Sequence, residues 1–432
     1  MEPVIVIGGG LAGCEAVAKI SAAGLNCRLW EMKPRRFSPA HRSEALAELV
    51  CSNSFKSESL TSAHGLLKAE MKALGSIVLA AAAETRVPAG SALAVDRDRF
   101  AGRMTDIVAA LPGVEIVREE VAAVPATGTV VIATGPLTSE ALVESIRVLT
   151  QSESLAFYDA IAPIVTAESV DMTVAFRASR YGKGEADYIN CPMTREEYGR
   201  FHRELLSGRK APLREFEAPR YFEGCLPVEV LAERGPETLA FGPMKPVGLT
   251  DPRTGQRPYA VVQLRQDDAA ARLYNLVGFQ TRLAYPEQER IFRTIPGLAR
   301  AEFARLGSIH RNTFLHSPSL LHPDLSLRSD PRIFFAGQIT GVEGYLESAA
   351  CGIVAGINAG RRLTGRPPLV LPPTTLIGAL LHYVTAPREG EFQPMNSNFG
   401  LLPPLSPPAP KHLRKEQQVE RALHDLAEAL AA

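Results

Sequence analysis

Residues 4–31 constrain the fold more than any other stretch of this 432-residue chain. Val4–Ile7 is an unbroken β-branched run, the pattern of a strand buried on both faces. It leads directly into Gly8-Gly9-Gly10-Leu11-Ala12-Gly13, which satisfies Gly-x-Gly-x-x-Gly. Leu11 to Ala23 then reads as a helix stopped by Gly24, and Cys27 to Glu31 as a second strand. Strand, helix and strand in about 30 residues predict a right-handed βαβ unit with parallel strands. In such a unit Gly8 allows the tight turn, Gly10 lets the backbone approach a pyrophosphate, and Gly13 lets helix and strand pack closely. The helix N-terminus offers unpaired N–H groups and the positive end of its dipole to the phosphates. Glu31, at the end of the second strand, is placed to accept hydrogen bonds from ribose hydroxyls.

Two later segments decide which dinucleotide. Thr129 to Ala133 reads as another buried strand, and Ala133-Thr134-Gly135 at its end is typical of two-dinucleotide-binding flavoproteins. Ile333 to Ala336, followed by Gly337, Gly341 and Gly344, resembles their C-terminal flavin motif. That motif usually places Asp after the first Gly; here Gln338 stands there, able to hydrogen-bond but without charge. A long Ala/Gly-rich helix starting near Gly344 would aim its N-terminus at the flavin. FAD is therefore the expected cofactor. A second Gly-x-Gly-x-x-Gly is absent, so NADPH or NADH must dock directly over the flavin.

The predicted fold class is α/β, a Rossmann-like FAD-binding domain of the two-dinucleotide-binding flavoprotein type with an inserted mixed α+β domain. The expected division is 1–155 for the first part of the FAD domain and 156–305 for the inserted substrate-facing domain. Residues 306–370 complete the FAD domain, and 371–432 form a C-terminal extension ending in a helix. Residues 44–80 read as mostly helical.

Charge does not advertise a partner, since 47 basic residues balance 47 acidic ones. Residues 253–311 nevertheless hold 10 basic and 5 acidic residues, so a local basic face is possible. No apolar run reaches the roughly 18 residues of a membrane span, and the N-terminus predicts no signal peptide, so a cytoplasmic location is expected. The six cysteines are scattered without a Cys-x-x-Cys pair, which predicts thiols and no metal site. Cys14, Cys27 and Cys351 read as core; Cys191, before a proline, is ambiguous.

Several segments together resemble the GidA-related flavoproteins that modify tRNA uridines. Ile7–Glu15 is shared by both branches of that family. Cys51-Ser52-Asn53-Ser54-Phe55-Lys56-Ser57, Gly65–Lys68, Phe222–Glu229, Gly337–Gly344 and Phe392–Gly400 point to the smaller TrmFO branch. The resemblance implies a tRNA methyltransferase that forms 5-methyluridine at position 54 of the T-loop. It also implies methylenetetrahydrofolate as carbon donor, FAD with NAD(P)H as reductant, and a T-arm uridine as substrate. The chemistry needs a thiolate to add at uracil C6, a base to remove the C5 proton, and a flavin hydride source. By resemblance Cys225 is the C6 nucleophile and Cys51 the base. Pro227 and Glu229 signal a helix start beside Cys225, which favours its thiolate. Lys56 is placed to stabilise Cys51 if the backbone turns back.

His310 resembles the family histidine that stacks on the pterin ring, and Tyr345 is placed to line the flavin or folate pocket. Arg282, Arg290, Arg293, Arg300, Arg305 and Arg311 are candidates for tRNA phosphates, or a solvated helix face. Two other functions use the same flavin segments. One is an FAD-dependent oxidoreductase on a small substrate; the other is a flavin-stabilised RNA-binding factor.

Overall fold

The computed structural model describes residues 2–152, 155–182, 185–212, 221, 226–388 and 392–431. The βαβ unit forms as β1 (Val4–Ile7), α1 (Leu11–Ala22) and β2 (Cys27–Trp30). β1 is the middle of a five-stranded parallel sheet, flanked by β2 and Val130–Ile132. Val114–Val117 lies outside β2, and Ile333–Phe335 outside Val130–Ile132. Three of its strands, Val4–Ile7, Val130–Ile132 and Ile333–Phe335, are apolar on both faces, whereas Arg28 and Glu115 on the other two strands pair in solvent.

α1 packs against the long helix Tyr345–Leu363 at unusually close range. A Cβ on Gly352 would lie 2.1 Å from the Ala12 carbonyl oxygen, and one on Gly356 would lie 2.5 Å from that of Ala16. Even one methyl there forces the helices apart. Gly352→Ala should therefore destabilise the chain by about 3 kcal/mol, read as a lower urea midpoint. An unchanged midpoint would contradict this packing.

The inserted segment builds a six-stranded antiparallel sheet. Its order is Phe176–Arg177, Tyr188–Met193, Ala260–Gln266, Leu273–Leu276, Ile164–Thr166 and Phe303–Arg305. It has its own core, including Phe201, Tyr274, Phe279 and Phe292. The chain enters and leaves this unit through a two-stranded antiparallel ribbon, Leu155–Ala160 with Ile309–Phe314.

The segment after 371 packs into the first core through Leu376, Leu380, Val384, Val419 and Leu426. Buried Glu70 anchors it by accepting the Leu376 and Ile377 N–H groups at 2.6 and 2.8 Å.

The expectation of helix over 44–80 fails for its first half. Helix begins only at Ala63, and Ser54–Ser57 is a strand paired with Ala92–Val95. The reason is local. Ser52 and Ser54 accept the Ser54 and Lys56 N–H groups with their own hydroxyls, which competes with helix formation. No helix among the described residues is long and apolar enough to cross a membrane.

Candidate active site

The loop from β1 to α1 is shaped by its glycines. Gly8 has φ +106°, and a Cβ there would lie 2.5 Å from the Ala133 carbonyl oxygen. A Cβ on Gly13 would lie 1.8 Å from the Gly8 oxygen, which fixes how closely helix meets strand. Gly10 differs, because among the described residues a Cβ there would meet nothing within 4 Å. Its open side faces a cleft of about 1110 Å³ lined by Gly8–Ala12, Glu31, Ala133–Gly135, Gly337 and Gln338. No described side chain caps α1, so its first-turn N–H groups are available to an anion. Glu31 accepts the Gly9 N–H at 2.9 Å and the Lys33 N–H at 3.0 Å, and its remaining lone pairs face the cleft. This cradle fits a dinucleotide pyrophosphate. Gly341 lies against the Phe392 ring and is not among the described residues that wall this cleft.

A second cavity of about 960 Å³ adjoins the first, sharing Val50, Pro136, Leu137, Gln338 and Tyr345 as walls. Cys51, His310 and Tyr345, three residues far apart in sequence, all line it. The Tyr345 hydroxyl accepts the N–H groups of Cys51 at 2.8 Å and Ser52 at 3.2 Å, so it fixes the cysteine loop. Burial pushes that phenol well up, which keeps it neutral. His310 lies 2.9 Å from the Ser308 hydroxyl; burial, then His41 and Arg305, push its pKa down and favour neutral imidazole.

Sequence reasoning missed several residues of this cavity. Glu343 is buried, and burial, reinforced by Asp159, holds its pKa well above the usual carboxyl range. Gln338 donates to it at 2.6 Å, so the amide that replaces the usual Asp orients an acid. Only the spacing within Gly337–Gly344 hinted at Glu343. The Phe392–Gly400 segment forms another wall. Met395 and Gly341–Glu343 exchange backbone hydrogen bonds, Glu347 accepts the Ser397 N–H and hydroxyl, and Asn396 lines the cavity.

Lys56 also lines the cavity, but the cations that reach the Cys51 backbone are Arg97 and Arg305. Cys225 lies outside the described residues. The helix after it runs Val228–Glu233, with Pro227 at its N-cap. Cys14, Cys27, Cys191 and Cys351 are buried, and burial raises the pKa of each, which suits packing thiols.

The basic stretch does not form one continuous face. Arg290 pairs with Glu204 and Glu287, and Arg293 pairs with Glu289 and covers the Phe303 ring. Arg282 lies over Tyr221, and Arg305 points inward to the Cys51 loop. The Arg311 side chain lies outside the described residues.

A family model described as Glucose inhibited division protein A matches residues 3–367. The chain is 59% identical over 404 residues to a protein of Moorella thermoacetica, covering 94% of this chain and 92% of that one. It is 57% identical over 429 residues to a protein of Geobacter sulfurreducens, covering 99% of each. Both relatives are named methylenetetrahydrofolate--tRNA-(uracil-5-)-methyltransferase TrmFO. Aquifex aeolicus GidA superposes with a TM-score of 0.72 at 18% identity, covering 99% of this chain and 73% of that one, so the fold is shared. Two adjoining clefts, a dinucleotide loop and near-full-length identity above half therefore agree that this chain belongs to the GidA family and, within it, to the TrmFO branch.

Proposed function

We infer that this protein transfers a one-carbon unit from methylenetetrahydrofolate to C5 of a tRNA uracil and completes it to a methyl group. The observation that carries this reading is the junction of the two clefts at Gln338 and Tyr345, with Cys51 held beside it by the Tyr345 hydroxyl. FAD, when bound, supplies the electrons that turn methylene into methyl. Gly8–Ala12 and Glu31 would hold its diphosphate and ribose, with Gly13 setting the approach of helix to strand and Ala133–Gly135, Gly337 and Gln338 as the remaining walls. His310 and Tyr345 flank the folate and uracil.

The protein's thiols carry the covalent chemistry on uracil. Cys225 adds to C6 and makes C5 nucleophilic; Cys51 removes the C5 proton once the new carbon–carbon bond has formed, and elimination releases Cys225. We further propose NADPH or NADH as the electron source, docking over the flavin, and uridine 54 of the T-arm as the target. Such an enzyme works where its tRNA and folate are, in the cytoplasm.

An undermodified T-arm hairpin incubated with the protein, NADPH and methylene-labelled folate should yield labelled 5-methyluridine. Transfer from labelled S-adenosylmethionine with folate removed would overturn the reading. So would flavin reduction on a small substrate with no RNA product.

A further inference from the structure

The loop that carries Cys51 is clasped from below by three arginines from three distant segments. Arg97, at the start of the helix Arg97–Ala109, donates Nε to both oxygens of Asp267 at 3.0 and 2.9 Å. It also donates to the carbonyls of Leu49 at 2.6 Å and Cys51 at 3.2 Å. Arg265, on the strand Ala260–Gln266, donates to Asn53 Oδ1 at 2.9 Å and Ser52 Oγ at 2.8 Å. Arg305, on the strand Phe303–Arg305, approaches the Cys51 carbonyl at 3.5 Å, and its Nε has no hydrogen-bond partner among the described residues.

The charges here do not cancel. Three largely buried guanidiniums face one carboxylate, Asp267, which Arg97 already engages on both oxygens. A buried cation without a counter-charge is costly. Other acids nearby are neutral or engaged. Tyr188 donates its hydroxyl to the Ala89 carbonyl, and burial raises its pKa. Tyr345 and Glu343 are held neutral by burial. Asp96 accepts the Arg99 and Ala269 N–H groups. Lining the same cavity as Cys51 are Lys56, His64, His310, Asp159 and Glu347. Of the two carboxylates, Glu347 is engaged by Ser397, and Asp159 stands beside Glu343; the Cys51 sulfur is carried by the loop that the guanidiniums clasp and can supply a negative charge there. Arg265 and Arg305 each gain from a charge at that residue, and burial with Arg97 pushes Arg305 down to about 10.

We propose that Arg305, with Arg97 and Arg265, is a positioning residue that keeps Cys51 as the thiolate, with the thiol proton released to solvent. The inference rests on the role assigned to Cys51 above and adds how the fold prepares that group before substrate arrives.

The test needs neither RNA nor folate. The FAD-bound protein is treated with iodoacetamide from about pH 5 to about pH 10, and alkylation of Cys51 is followed by peptide mass spectrometry. The wild-type rate should inflect below the free-thiol value of about 8.5. Arg305→Gln should raise that midpoint by about one unit and slow alkylation near neutral pH about tenfold. The limiting rate at high pH should not change. Arg305→Lys should restore most of the shift, and Asp267→Asn should move the midpoint the opposite way. A wild-type midpoint at or above the free-thiol value overturns the proposal. So does an unmoved midpoint in Arg305→Gln, whether or not the limiting rate falls. Should Arg305→Gln fail to fold, Asp267→Asn still decides: a midpoint that rises or stays overturns the proposal. Wild-type methylation, measured separately, reports the functional reading, so each idea can fail alone.

Discussion

A Gly10→Val variant should fold normally and be colourless. Gly10 has φ −78° and ψ −173°, an extended conformation open to any L-residue, so valine introduces no backbone strain there. Its side chain projects into open space, so no packing is lost. That space is where a pyrophosphate must approach the α1 N–H groups. Steric exclusion of this kind should cost about 3 kcal/mol or more, roughly 100-fold in FAD affinity. Circular dichroism should match wild type while flavin absorbance disappears. Full flavin absorbance would mean that the phosphates lie elsewhere. Gly13→Val makes the instructive contrast. Its Cβ would lie 1.8 Å from the Gly8 oxygen, so it should fail at folding rather than at binding.

The two candidate cysteines should separate by the step at which each is needed. Replacing either by alanine should reduce methylation on the order of 10³-fold or more, as for residues that act as a unit. Their behaviour toward a 5-fluorouracil hairpin should differ. Cys225→Ala should form no covalent adduct, because nothing adds to C6. Cys51→Ala should retain adduct, because the fluorinated C5 has no proton to remove. Both variants should stay yellow, since Cys51 lies beyond the phosphate cradle and Cys225 belongs to no cofactor segment. Denaturing electrophoresis without added thiol shows the retarded band. Adduct with Cys225→Ala but not with Cys51→Ala would exchange the roles.

The dinucleotide half of the site was legible in the sequence because its parts are contiguous. A strand, a glycine loop and a helix lie within 31 residues, and each local signal agrees with the next. The second cavity was legible only in pieces. Cys51, His310 and Tyr345 stood out as residue types, but the hydrogen bond joining Tyr345 to Cys51 spans 294 positions. Arg265 reaches Ser52 across 213. No local pattern encodes such pairs, so the guanidinium clasp is not legible in the sequence, whereas Lys56, five residues from Cys51, is. Arg290 shows the same limit from the other side. It reads as an open cation until Glu204, from a separate helix, is brought against it.

The wall built from Phe392–Gly400 has a consequence for how the enzyme is made. Cys51 leaves the ribosome early, whereas Arg265, Arg305, Tyr345 and Asn396 follow in that order. At about 5–20 residues per second, on the order of tens of seconds separate the thiol from the last piece of its chamber. During that interval the cysteine loop has neither its tyrosine latch nor its final wall. The nucleotide cradle also waits for Gly337 and Gln338, so both clefts are completed late and the enzyme becomes competent only near the end of translation.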